Sequence, residues 1–147
     1  MTIRKLVASA ALAFISAAPA LAGGHASGDP AAGEAVFRQC ITCHVVVNEA
    51  GDTLAGRNAR TGPNLYGVDG RVMGSVDGFR YGTGLEEAKE QGLEWTEEAF
   101  VAYVQDPTSF LRDATGNSRA RGNMAFRVRS EEDALNLYAY LASLSAQ

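Results

Sequence analysis

Apolar residues along this chain fall into one nearly unbroken run and several spaced sets, and each predicts a different structure. Leu6 to Ala18 is almost continuously apolar, with Arg4 and Lys5 before it and Ala20-Leu21-Ala22 after it. A basic start, a short apolar middle and a small-residue end predict a secretory signal peptide over 1–22. An uncleaved membrane anchor is the weaker reading, because the run is short of a spanning length and Pro19 sits near its end. Residues 23–28 carry no pattern and are expected to be a disordered lead, which leaves 29–147 as one domain.

Within that domain the spaced sets predict helices. Asp29 supplies an N-cap acceptor and Pro30 suits a first helical position, so a helix starts there and runs toward residue 40, with Val36 and Phe37 on its apolar side. Asn48 to Gly62 is polar and Gly-rich, a surface loop. Leu85 to Gln91 makes a short acidic helix that Gly92 can terminate. Thr96 caps a helix over Glu97 to Gln105, whose first-turn acids suit the helix dipole, and Asp106-Pro107 stops it. An irregular segment follows to Arg129. Ser130 and Asp133 then open the clearest helix, in which Ala134, Leu137, Tyr138, Leu141 and Leu144 recur at helical spacing. No strand and no repeat stands out, so the fold class is all-α.

Charge narrows the partners. Loss of residues 1–22 takes the basic count from 13 to 11 against 17 acids, a net charge of −6, and such a chain is a poor candidate for nucleic acid. The balance is uneven along the chain. Arg112 to Arg129 holds five arginines and one acid, whereas Glu86 to Glu98 holds six acids and one lysine.

The chemistry is concentrated in Cys40-Ile41-Thr42-Cys43-His44. Two thiols three residues apart, followed at once by an imidazole, form the attachment sequence of a c-type haem. On a helical turn these residues share one face, so both sulfurs can bond one porphyrin while His44 reaches its iron. A thioredoxin-like pair would want flanking strands, and a structural zinc site would need four ligands. A plain disulfide leaves the histidine unexplained. The expected cofactor is one covalently attached haem c.

The occupant of the iron's second axial position separates electron transfer from chemistry on a bound ligand. After residue 22 the candidates are His25, Met73 and Met124. Met124 is favoured because it lies in an irregular Gly-rich segment, where a core methionine is less common. Met73 is the alternative, with a gap-filling role as its ordinary explanation.

Beyond these residues the chain resembles a class I cytochrome c of the large bacterial cytochrome c2 type. The resemblance runs through Gly33-Glu34-Ala35-Val36-Phe37, the haem motif, Thr61-Gly62-Pro63-Asn64-Leu65, Gly70-Arg71, Gly78-Phe79-Arg80-Tyr81, Trp95-Thr96, Tyr103 with Pro107, Asn123-Met124-Ala125-Phe126, and Leu137-Tyr138-Ala139-Tyr140-Leu141. It implies helices and long loops wrapped around the haem, with His44 and Met124 as axial ligands. It also implies that the Pro63 carbonyl orients His44, that Arg71, Tyr81 and Trp95 bind or enclose the propionates, that Tyr103 approaches the methionine sulfur, and that Phe126 shields the haem edge. Gly33 and Phe37 would face Leu137 and Tyr140 across the first and last helices. Two departures stand out: Gly122-Asn123 replaces the usual Thr-Lys before the methionine, and Lys89 is the one lysine after residue 22.

The function this implies is a periplasmic electron carrier and not an enzyme. It would be a monomer that takes electrons from a cytochrome bc complex and passes them to a reaction centre or terminal oxidase. Docking would use an arginine-rich rim in place of lysines. The other readings are a dedicated partner or subunit of one periplasmic dehydrogenase, and a haem protein with an open sixth site that binds small ligands.

Overall fold

A computed structural model describes residues 26–145, so the expected signal peptide, His25 and residues 23–25 lie outside it. Helix α1 spans Pro30–Phe37 and starts as expected: Pro30 takes the first position, and the Asp29 side chain accepts from the amide of Ala31 at 2.9 Å. It stops earlier than expected, at Phe37. The haem motif follows on separate turns, where the Cys40 carbonyl accepts from both the Cys43 amide (3.0 Å) and the His44 amide (2.9 Å). The motif therefore keeps a helical turn's geometry without belonging to a helix.

Next comes a small antiparallel hairpin of β1 (Val46–Val47) and β2 (Thr53–Ala55); its turn and β2 fall inside the stretch 48–62 that reads in sequence as loop, and β1 precedes it. Asn48 and Asp52 tie its turn together: the Asp52 amide donates to Asn48 Oδ1 at 2.8 Å, and the Asn48 amide donates to the Asp52 carbonyl at 3.0 Å. Strands of two and three residues are too short to show an alternating pattern.

Helices α2 (Thr83–Glu90) and α3 (Glu97–Gln105) fall where expected. Gly92 after α2 takes the left-handed φ of 68° that its position requires. Thr96 accepts from the Ala99 amide at 3.2 Å. The irregular segment is corrected by α4 (Pro107–Thr115). Asp106 ends α3 and also caps α4, its carboxylate accepting from the Ser109 amide at 3.1 Å, while Pro107 occupies the first turn. The Asp-Pro pair that stops one helix starts the next. Finally α5 spans Glu131–Ser145, with the Asp133 amide donating to Ser130 Oγ at 3.3 Å.

The first and last helices cross at Gly33. A Cβ there would lie 2.6 Å from the Asn136 carbonyl carbon and 2.7 Å from Tyr140 Cβ, so a side chain of any size would force the helices apart. Phe37 and Tyr140 extend the contact, with ring centroids 5.6 Å apart. Asn136 is buried at the crossing and accepts from the Asp29 amide at 2.7 Å. The expected disordered lead is corrected at its end: the Ser27 amide and hydroxyl both donate to Glu97 Oε1, at 2.7 and 3.0 Å, which fixes it against α3. Among the described residues, no helix is long and apolar enough to cross a membrane.

Candidate functional site

The helices and loops enclose a cavity of about 510 Å³, within the range that holds a cofactor-sized molecule. All ten residues singled out from sequence line it: Cys40, Cys43, His44, Pro63, Arg71, Tyr81, Trp95, Tyr103, Met124 and Phe126. They come from segments up to 86 positions apart, brought together by the fold. Met73 does not line the cavity. It is 2% exposed and belongs to the core, where its apolar side chain fills space.

His44 is held in one tautomer. Its Nδ1 lies 2.9 Å from the Pro63 carbonyl, which can only accept, so Nδ1 carries the proton and the Nε2 lone pair stays free. Burial lowers the pKa of His44, and the bond to Pro63 pulls the other way, so the ring favours the neutral form that a metal ligand needs. Gly62 presses against this ring. Burial, and secondarily the charge of Cys43, push the Cys40 thiol up to about 11, so it is protonated at neutral pH.

Arg71 is half-buried and donates to two backbone carbonyls, from Nη1 to Tyr66 at 2.7 Å and from Nη2 to Asn64 at 3.2 Å. Burial lowers its pKa, and nearby Tyr81 opposes that shift. The Tyr81 hydroxyl accepts from the Val76 amide at 3.3 Å, which leaves its own proton to donate. Burial raises the pKa of Tyr81, and the Val76 bond and Arg71 lower it. A fixed guanidinium and a phenol with a spare donor suit carboxylates at a cavity wall.

Trp95 and Tyr103 meet edge to face at 5.0 Å, and Phe110 stacks on Trp95 at 6.2 Å. Phe110 lies on α4, the helix that sequence reading misses, and the only hint of its place is the apolar Phe110-Leu111 pair after Asp106-Pro107. Burial pushes the Tyr103 hydroxyl up to about 12, with a smaller contribution from Tyr81. At Gly122, a Cβ would stand 3.1 Å from Leu111 Cδ1 and 3.6 Å from the Tyr103 hydroxyl. A threonine there would need Leu111 to give way. Leu65, Val68, Phe79, Phe100, Val104 and Leu137 complete the apolar wall. Helical periodicity marks Leu137, but none of the other five stands out as a wall residue in the sequence alone.

A cysteine pair, an imidazole with a free Nε2, and a methionine thioether on one largely apolar cavity form a donor set that fits haem. No protein-family model matches the chain. Curated proteins do: cytochrome c2 of Rhodovulum adriaticum is 61% identical over 118 residues, spanning 80% of this chain and 94% of that protein. The chain belongs to the cytochrome c2 family. Cytochrome c2 of Cereibacter sphaeroides is 52% identical over 141 residues, 95% of each chain. The crystal structure of cytochrome c2 from Rhodobacter sphaeroides superposes with a TM-score of 0.78 at 55% identity, covering 80% of this chain and 96% of that one. That of the cytochrome c2 from Paracoccus denitrificans gives 0.76 at 37% identity, covering 82% and 98%. As a member of this family, the chain is an electron-transfer protein and not an enzyme, and carries covalently bound haem c.

Proposed function

We propose that this chain is a periplasmic shuttle for single electrons, with His44 and Met124 as the two axial ligands and Cys40 and Cys43 as the covalent attachment points. The observation that carries this reading is that Met124 lines the same cavity as His44, while the rival Met73 is sealed in the core. Bound haem supplies the redox chemistry through ferrous and ferric iron. The protein's part is to fill both axial positions, which leaves no open site for substrate. Pro63 orients His44, and Arg71, Tyr81 and Trp95 would hold the propionates. Tyr103 packs near the methionine loop.

The exit for electrons is the rim around Phe126, a large apolar side chain left 44% exposed at the cavity. Arg121, Arg127 and Arg129 are exposed in the same stretch of chain, and Arg127 is braced by Asp106 at 3.1 Å. A positive rim on a negative protein orients it toward acidic partners by long-range field, and the small contact expected of redox encounters keeps binding transient. The partners are a cytochrome bc complex as donor, and a reaction centre or terminal oxidase as acceptor. The protein acts as a monomer.

Turnover of the purified holoprotein with each of these complexes over a salt series tests the reading. The expected result is fast electron transfer that falls steeply with ionic strength. Rates indifferent to salt would remove the arginine rim, and transfer confined to one dehydrogenase would replace the general shuttle by a dedicated partner. Met124→Ala should lower the reduction potential and let carbon monoxide bind the ferrous protein. Strong carbon monoxide binding to the wild type would favour an open sixth site.

A further inference from the structure

Asn64 follows the proline whose carbonyl accepts from His44, and its side chain makes an unusual set of bonds. Its Oδ1 accepts from the Val47 amide at 3.0 Å and from the Tyr66 amide at 3.1 Å, while its Nδ2 donates to the Val47 carbonyl at 2.8 Å. Both backbone groups of one residue, three positions after His44, are thus paired by a single amide. An amide is the chemistry this needs, because a donor and an acceptor must be presented side by side.

The surrounding backbone completes a brace. The Gly62 amide donates to the Cys43 carbonyl at 2.7 Å, and the Leu65 amide to the Val45 carbonyl at 3.0 Å. Arg71 Nη2 reaches the Asn64 carbonyl from the other side at 3.2 Å. Segment 62–65 therefore lies along 43–47, and Asn64 is the one side chain of that segment which bonds the opposing backbone.

We propose that Asn64 is a positioning residue for the axial histidine: by clamping its segment to Val47 it holds the Pro63 carbonyl at hydrogen-bond distance from His44 Nδ1. This rests on the reading of His44 as an iron ligand oriented by Pro63. The bond from Nδ1 to a carbonyl makes the imidazole a stronger electron donor, which favours ferric iron. Loosening the clamp weakens that donation, so the reduction potential rises.

The test uses the holoprotein with Asn64→Ala and Asn64→Ser, and Asn136→Ala as a control. Serine keeps an acceptor for the Tyr66 amide, as such turns allow, but cannot pair both groups of Val47. It covers the case in which the alanine variant does not assemble. Asn136 is likewise a buried amide bonded to backbone, but it sits at the α1–α5 crossing and does not line the cavity. Two readouts are taken: exchange of the His44 Nδ1 proton by NMR, and the reduction potential. Both Asn64 variants should exchange that proton roughly fivefold faster or more, the equivalent of one ordinary hydrogen bond, and show a raised potential. Asn136→Ala should lose stability with neither change. Unaltered exchange and potential in an assembled Asn64 variant would overturn the proposal, as would equal shifts in Asn136→Ala. A wild type whose Nδ1 proton already exchanges freely would overturn the Pro63 reading itself.

Discussion

Alanine at position 62 sets two effects of known sign against each other. Gly62 does not have a left-handed backbone, so alanine is conformationally allowed. Loss of freedom in the unfolded chain would by itself stabilise the protein by about 0.4–1 kcal/mol. Against this, a Cβ at Gly62 would stand 2.6 Å from His44 Nδ1 and 2.8 Å from Nε2, where ordinary contact begins at 3.4 Å. Cε1 comes closer still, so the ring must retreat by about 1 Å to restore that contact, yet Nδ1 is tied to the Pro63 carbonyl at 2.9 Å. Overpacking of this kind costs about 1–3 kcal/mol, and loosening the hydrogen bond adds about 1 kcal/mol. The steric side wins, with a net loss of about 1–3 kcal/mol. For a domain of this size that lowers the unfolding midpoint by roughly 4–12 °C. Thermal denaturation of the holoprotein, followed in the far ultraviolet, measures the shift. An unchanged or raised midpoint would refute the argument, because it would mean that the histidine ring is free to move.

Met73→Ala should cost about 2–5 kcal/mol by denaturant titration, as large-to-small core changes do, while the reduction potential stays at the wild-type value. A fallen potential would move the ligand to Met73. Asp106→Ala removes both a helix cap and an ion pair, so it should cost about 1 kcal/mol or more, whereas Arg127→Ala removes only an exposed pair and should cost less than about 0.5 kcal/mol. Equal losses from the two would deny Asp106 its capping role. Tyr103, with its folded pKa raised to about 12 by burial, keeps its proton in the fold more tightly than in the unfolded chain. Its contribution is therefore complete below about pH 10 and is lost as pH rises toward 12. Tyr103→Phe should flatten that alkaline decline in stability, and a decline of unchanged slope would assign it to other groups.

The elements that could be read in advance are those announced by local chemistry. Thr96 and Ser130 cap helices because their hydroxyls accept amide protons, and Asp29-Pro30 starts one for related reasons. Helix α4 escaped because Asp106-Pro107 carries two opposite messages, and only tertiary packing shows that both apply. Its apolar contribution also rests on few side chains, chiefly Phe110 and the fully buried Leu111, which are too few to establish a period. The hairpin is held by Asn48 and Asp52, residues that in sequence signal only a turn. At the site, residue types with distinctive chemistry were legible directly, supports such as Pro63 and Arg71 only through the family resemblance, and the roles of Gly62 and Asn64 not at all. Cys40, Cys43, His44 and Met124 stand out by type and spacing. Gly62 and Asn64 act through distances of a few ångströms to a ring and a strand that lie far enough away in sequence to leave no pattern.

The crossing of α1 and α5 at Gly33 also carries a cost in chain entropy. Bringing the first helix to the last closes a loop of about 100 residues, at an entropic cost on the order of 4 kcal/mol before any contact repays it. Cys40 and Cys43, by contrast, lie within six residues of the end of α1 and need no distant partner to be presented together. The thiols can therefore be joined to haem while the chain is still open.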